Sequence, residues 1–297
     1  MVRKTAKDFH PEALQLFDQY VHGDIPRRDF LASIPKYALL GLSAEALLEA
    51  LNPRFAEAQQ IAGNDPRIKA SYVECPSPHG NGKIRGYLVQ PAHAKGKLPT
   101  VLVIHENRGL NPHIEDIARR LALDGFIAFA PDALFTLGGY PGDEDKAREL
   151  FQKLDKAKNQ EDFLAAAKIL KKLPAGNGKV GAVGFCYGGG IVNWLATRIP
   201  DLAAGAPFYG AQPAAEDVKK IKAPLLIHYA GVDDRINAGW PAYESALQKA
   251  GVNYEAHTYP GVQHGFNNDT TPRYDAATAK LAWERTISFF NSYLRDS

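Results

Sequence analysis

The stretch VGAVGFCYGGGIVNW (residues 180–194) sets one of only two cysteines, Cys186, between an apolar strand-like run and a glycine-led apolar run. Gly184 and Gly188 stand two positions before and after it. This is the layout of a nucleophile at a strand-to-helix corner, where the reacting side chain occupies a strained turn and its neighbours must be small. A helix starting there favours negative charge, which lowers the thiol pKa and helps hold an anionic intermediate. Taken alone, the pentapeptide is equally a glycine-rich turn with a structural thiol.

A thiol nucleophile needs a base, and the base needs an orienting acid. In hydrolases built on such a corner the acid follows the nucleophile in sequence and the histidine comes last. After the apolar run APLLIHYAG comes VDDRI, offering Asp233 or Asp234; after YEAHTYPG comes VQHGF, offering His264. Each stands just past the carboxyl end of an apolar run, in the required order. Three such residues in sequence point to nucleophilic acyl transfer rather than to three unrelated loop residues.

These residues need a scaffold of strands and helices. ASYVECP and KIRGYLVQP flank a turn and read as a hairpin. LPTVLVIHE reads as a strand buried on both faces, IEDIARRLALDG as a helix and FIAFAPDAL as the next strand. A long helical stretch from DKARELFQKL to DFLAAAKILKKL leads to VGAVGF and the Cys186 corner. LAAGAPFYG, APLLIHYAG and YEAHTYPG supply further strands, and AATAKLAWERTISFFNSYL closes the chain as an amphipathic helix. The alternation predicts an α/β doubly wound, mostly parallel sheet with ligands at the carboxyl ends of its strands. Residues 1–65 read instead as helices punctuated by Pro26, Pro35 and Pro53, with GNDPRI (63–68) as the boundary. The expected organisation is a helical extension over 1–65 and a catalytic domain over 66–297.

Net charge is +2 with basic and acidic residues interspersed, which argues against a nucleic-acid partner. No run of 18 apolar residues occurs, so no membrane-spanning helix is expected. Cys75 and Cys186 form no metal-ligand spacing and the nine histidines do not cluster, so neither metal nor organic cofactor is expected. Cys75 reads as an inert thiol near a strand end. Arg27–Arg28 before Asp29–Phe30–Leu31 and a moderately apolar stretch, with Ala56–Glu57–Ala58 beyond, has the form of a twin-arginine export signal. Lys36, Glu45 and Glu49 interrupt that stretch. The expectation is therefore a cytoplasmic protein whose extension packs on the domain or joins two copies into a homodimer, with export as the alternative.

VGFCYGGG, HENRGLN (105–111), GFIAFAPD (125–132), HYAGVDDRI (228–236) and YPGVQHGF (259–266) together resemble the dienelactone hydrolase family of α/β-hydrolases over about residues 70–295. The resemblance implies a Cys186–His264–Asp233 triad, with Asp234 as the fallback acid. It implies that Glu106 hydrogen-bonds the resting thiol and keeps it neutral until substrate binds. It further implies that His264 assists formation of a Cys186 thiolate, which attacks an ester carbonyl. The backbone N–H groups of Tyr187 and Asn107 would hold the oxyanion before water cleaves the thioester. Relatives hold a substrate carboxylate with arginines, one of them four residues past the histidine; here that position is Asn268, and Gly265 stands where they carry serine. Arg108 and Arg273 are the candidate replacements. The expected activity is hydrolysis of a small ester or lactone, with arylester or phosphotriester hydrolysis as a variant. A thiol redox protein cycling Cys186, with Cys75 as resolving thiol, is the alternative of another class.

Overall fold

The computed structural model describes residues 4–37 and 43–295. Four helices precede the sheet: α1 (Pro11–His22), α2 (Arg27–Ser33), α3 (Ala44–Leu51) and α4 (Phe55–Ala58). Pro11 opens α1, where a missing N–H costs no hydrogen bond, and Gly23 closes it with φ 85°. The apolar positions of these helices meet one another rather than the sheet: Leu14, Phe17, Tyr20, Phe30, Leu47 and Leu51 form a cluster of their own. Tyr20 and Phe30 stack with ring centroids 5.0 Å apart. The arginine pair that suggested a leader thus opens a helix whose Phe30 is fully buried, and Ala56–Glu57–Ala58 lies within α4. Residues 38–42 of the apolar stretch lie outside the described residues.

The remaining elements alternate. They are β1 (Ile68–Ser77), β2 (Gly82–Pro91), β3 (Leu98–Ile104), α5 (Pro112–Leu123), β4 (Ile127–Pro131), α6 (Glu144–Gln152), α7 (Lys156–Lys171) and β5 (Gly176–Phe185). After these come α8 (Tyr187–Arg198), β6 (Ala204–Phe208), β7 (Leu225–Val232), α9 (Asp234–Asn237), α10 (Trp240–Ala250), β8 (Tyr254–Gln263) and α11 (Ala276–Leu294). The strands form one eight-stranded sheet in the order β1-β2-β4-β3-β5-β6-β7-β8. β1 and β2 pair antiparallel, as do β2 and β4; β4 through β8 run parallel. The α/β sheet and the helical N-terminal part agree with the sequence reading.

Two details differ. The long helical stretch is two helices, because Asp155 caps α7 by accepting from the N–H groups of Ala157 and Lys158. β5 begins at Gly176 rather than Val180, because Gly176 pairs with Leu98 across a register shift in β3.

Successive residues of β3 divide between two core clusters, Val101 and Val103 in one and Leu102 and Ile104 in the other, so the two clusters cover opposite sheet faces. Cys75 belongs to one cluster and Cys186 to the other, and both thiols are free. Chain order reverses between β3 and β5, the strands that continue to opposite sides of the sheet. Their carboxyl ends therefore open a crevice at the centre of the domain. The extension is tied down beside it. Asp116 of α5 accepts from the backbone N–H groups of Gln60 (3.1 Å) and Ile61 (2.9 Å), and Arg54 N–H donates to Thr270 O at 2.8 Å. Among the described residues no helix is long and apolar enough to cross a membrane.

Phe30 holds the extension's cluster together, so Phe30→Ala should cost about 3–5 kcal/mol by cavity formation. Equilibrium denaturation checks this; a loss below about 1 kcal/mol would mean the cluster does not contribute as a packed core.

Candidate active site

Cys186 joins β5 to α8 with φ 55° and ψ −114°, a conformation unfavourable for a residue with a Cβ. Its backbone N–H donates to Phe208 O at 3.0 Å, which fixes the corner against β6. The flanking glycines are required by close approach. A Cβ on Gly184 would lie 2.2 Å from Gly188 O, and one on Gly188 would lie 2.2 Å from Ile104 O at the end of β3. The sharp turn puts the sulfur at the first turn of α8, and Tyr187 N–H, as the first helical residue, has no partner inside the helix. The side chain is buried, 9% exposed.

Asp233 follows directly on β7 and His264 directly on β8. The register of β7 on β8 brings them together: Asp233 Oδ2 lies 2.6 Å from His264 Nδ1, and both side chains are buried. Asp234, by contrast, is exposed and belongs to α9. His264 Nε2 is buried without a hydrogen-bond partner, and a ring nitrogen of His264 lies within 4.8 Å of Cys186 Sγ.

A second histidine reaches the sulfur, and the sequence reading did not include it. His22, the last residue of α1, places Nε2 3.3 Å from Cys186 Sγ. Its Nδ1 lies 2.7 Å from Asp18 O and 3.4 Å from Asp18 Oδ2. Its ring meets His264 edge-on, centroids 4.8 Å apart. The only signal in the sequence was Asp18 and His22 four apart on a helix, a pattern that ordinarily means a solvated pair. Burial pushes the Cys186 thiol up, but the two imidazoles outweigh it and bring the thiol down to about 6. Burial likewise opposes charge on His264, and the neighbouring sulfur and Asp233 overcome it, raising His264 to about 10. Asp18 is held well below the usual carboxylate range against its burial, chiefly by the hydrogen bond from His22.

The β3 loop contributes differently from the resemblance. Glu106 accepts from Asn268 Nδ2 at 2.7 Å, and the described hydrogen bond to the sulfur comes from His22 instead. Among the described residues Glu106 makes no hydrogen bond to the sulfur, and Asn268 supplies its donor. Asn107 donates through Nδ2 to Val21 O at 2.7 Å and lines the cavity beside Tyr187. Arg108 is buried, with Nη1 donating to Val21 O (3.2 Å) and Asn107 O (2.9 Å) and Nε 3.5 Å from Glu144. Arg273 donates to Asp18 Oδ1 at 3.0 Å. Both arginines thus brace the α1 end as well as facing the site.

Beyond the sulfur opens a cavity of about 460 Å³ whose walls include Phe151, Ile191, Trp194 and Tyr209. Arg148 and Arg235, which the sequence reading did not single out, also line it. Tyr209 sits at φ 36° with its hydroxyl buried and unpartnered, its ring 4.9 Å from that of His264. Cys186 Sγ, His22 Nε2 and His264 Nε2 are also a donor trio of the soft type that binds zinc, all within 4.8 Å of one another. The arrangement pairs a low-pKa thiol with an oriented imidazole at the first turn of α8, a set suited to acyl transfer.

Comparison with known proteins gives the same direction. A model of the dienelactone hydrolase family matches residues 84–294, and a YqhI-like model matches residues 1–34. A protein of Escherichia coli (strain K12) provisionally named as a hydrolase fragment, YghX, is 56% identical over 114 residues, covering 38% of this chain and 97% of the relative. A protein of Synechocystis sp. provisionally named carboxymethylenebutenolidase is 34% identical over 246 residues, 77% of this chain and 98% of the relative. A crystal structure from Klebsiella pneumoniae, provisionally named a dienelactone hydrolase, superposes with a TM-score of 0.66 at 28% identity, covering 76% of this chain and all of that one.

Alkylation by iodoacetamide should distinguish the two thiols. The Cys186 rate should rise through about pH 6 and then level off. Cys75, whose thiol is pushed above its ordinary value by burial alone, should stay unreactive at pH 7. Peptide mapping of the label checks both; a Cys186 inflection near the ordinary thiol value would remove the imidazoles' influence.

Proposed function

The chain belongs to the dienelactone hydrolase family and is a hydrolase, and from that premise we propose that it cleaves small esters or lactones through a Cys186 thioester. The observation that carries the reading is the 2.6 Å Asp233–His264 contact beside a strained, low-pKa Cys186 that lines the cavity. The Cys186 thiolate attacks the substrate carbonyl. The backbone N–H groups of Tyr187 and Asn107 hold the tetrahedral oxyanion, and His264 protonates the leaving oxygen. His264 then takes a proton from water, which cleaves the thioester and releases the acid. Asp233 keeps the Nδ1 proton in place so that Nε2 does this exchange.

The cavity favours a compact substrate with an apolar body. Trp194, Ile191 and Phe151 supply apolar wall, and Arg108, Arg148 and Arg235 bring positive charge suited to a carboxylate on the acid or the alcohol side. Arg273 lies in the adjoining recess with Glu106 and Asn268 rather than on the main wall. The redox reading loses its resolving thiol, because Cys75 belongs to the core cluster on the opposite sheet face.

Hydrolysis of a short p-nitrophenyl ester by the wild type and Cys186→Ala tests the reading, with a γ-lactone and a phosphotriester run alongside. Loss of the nucleophile should reduce kcat on the ester by at least about 10³-fold. Ester activity that survives the substitution would refute the thioester route, and turnover of the triester alone would move the substrate class.

A further inference from the structure

The hydrogen bond to the nucleophilic sulfur comes from outside the family's triad. His22 and Asp18 resemble His264 and Asp233 in part: His22 Nδ1 lies 2.7 Å from the Asp18 backbone carbonyl and 3.4 Å from its carboxylate, and its Nε2 lies 3.3 Å from Cys186 Sγ. The two rings are not equivalent. His22 Nε2 is at hydrogen-bond distance from Sγ, 3.3 Å, while His264 holds its partner carboxylate more closely, 2.6 Å at Nδ1, and is the stronger of the two influences drawing the thiol down. Two imidazoles on one thiol exceed what a single-base mechanism uses.

We infer that His22 is a second catalytic histidine, contributed by the N-terminal extension, which takes and holds the Cys186 proton while His264 serves the leaving group and water. The inference rests on Cys186 being the nucleophile, as proposed above. Arg235 Nη2 lies 3.0 Å from His22 Nε2, and a guanidinium only donates, so Nε2 carries the ring's lone pair and Nδ1 its proton. The S–H bond of Cys186 breaks and an N–H bond forms at His22 Nε2. Arg235, 40% exposed, gives up its contact, and the imidazolium remains 3.4 Å from the Asp18 carboxylate. The sulfur's electron pair then forms the bond to the acyl carbon. His264 gives its proton to the departing oxygen and recovers one from water, and the sulfur leaves the acyl group as thiolate still paired with His22. The sum is ester plus water to acid plus alcohol; His264 is restored, and the site returns to the Cys186 thiolate–His22 imidazolium pair from which the next acylation starts.

The surroundings support the assignment. Asp18 is itself bound by Arg273 at 3.0 Å, and Val21, one residue before His22, accepts from both Asn107 and Arg108 through its carbonyl. These contacts fix the end of α1 to the loop that carries the proposed oxyanion donor. A helix serving only as a cover would not need an imidazole at the sulfur whose other nitrogen is held by its own helix.

The test uses the full-length protein and separates the two histidines by half-reaction. p-Nitrophenolate leaves without needing a proton, so rapid mixing with p-nitrophenyl acetate reads acylation as a burst and deacylation as the steady rate. His264→Gln should keep the burst and lose steady turnover, accumulating one acetyl group on Cys186 by mass spectrometry. His22→Gln should slow the burst just above about pH 6, where the wild-type thiol is already ionised, and the deficit should shrink as pH rises. It should also shift the Cys186 alkylation profile to higher pH. The His264→Gln arm leaves the extension untouched, so it decides the matter even if His22→Gln loosens α1. A burst lost in His264→Gln and retained in His22→Gln would overturn the inference while leaving the Cys186 thioester standing. Acetylation absent from Cys186 in the wild type would instead defeat the proposed function itself.

Discussion

Everything at this site depends on the turn at Cys186. A non-glycine residue at φ 55° is tolerated because the corner is held from three sides. Its N–H is bound by Phe208, Gly188 sits against the end of β3, and Gly184 sits against Gly188. Any side chain at either glycine would push α8 off the sheet. The same closeness puts the first turn of α8 beside the loop after β3.

The sheet order supplies the other half of the constraint. β5 lies between β3 and β6, and the sites after β3, β5, β7 and β8 all open on one edge of the sheet. Parallel register carries Asp233 and His264 to that edge at the same height, so that a 2.6 Å contact forms between residues 31 apart in sequence. The acid and the imidazole are buried, where the low dielectric strengthens their mutual attraction and also makes an unpaired charge costly. The sulfur, two imidazoles and two carboxylates therefore form one coupled charge system rather than independent groups.

The extension changes what the family's site would otherwise be. Its helices bury their apolar faces mainly in each other, which leaves the polar C-terminal end of α1 free to enter the catalytic crevice. Glu106 and Asn268 pair with each other, and the place at the sulfur falls to His22. Arg108 and Arg273 brace Val21 and Asp18. A segment that carries an arginine pair of export-signal form thus also builds the wall of the active site.

The sequence by itself determined the α/β class, the strand that ends at Cys186, and the candidates Cys186, His264 and the Asp233–Asp234 pair. These are legible because a tight turn, buried strands and strand-end residues are local properties, written in glycine spacing and apolar runs. It also located the extension, from a change of period and proline punctuation. The tertiary structure alone decided that Asp233 and not Asp234 meets the imidazole, since one residue's step past β7 turns the side chain from crevice to solvent. It alone decided that Glu106 turns to Asn268, that Arg148 and Arg235 reach the cavity, and that His22 reaches the sulfur. Those contacts join residues as far as 164 positions apart, and such separations leave no periodicity in the chain to read.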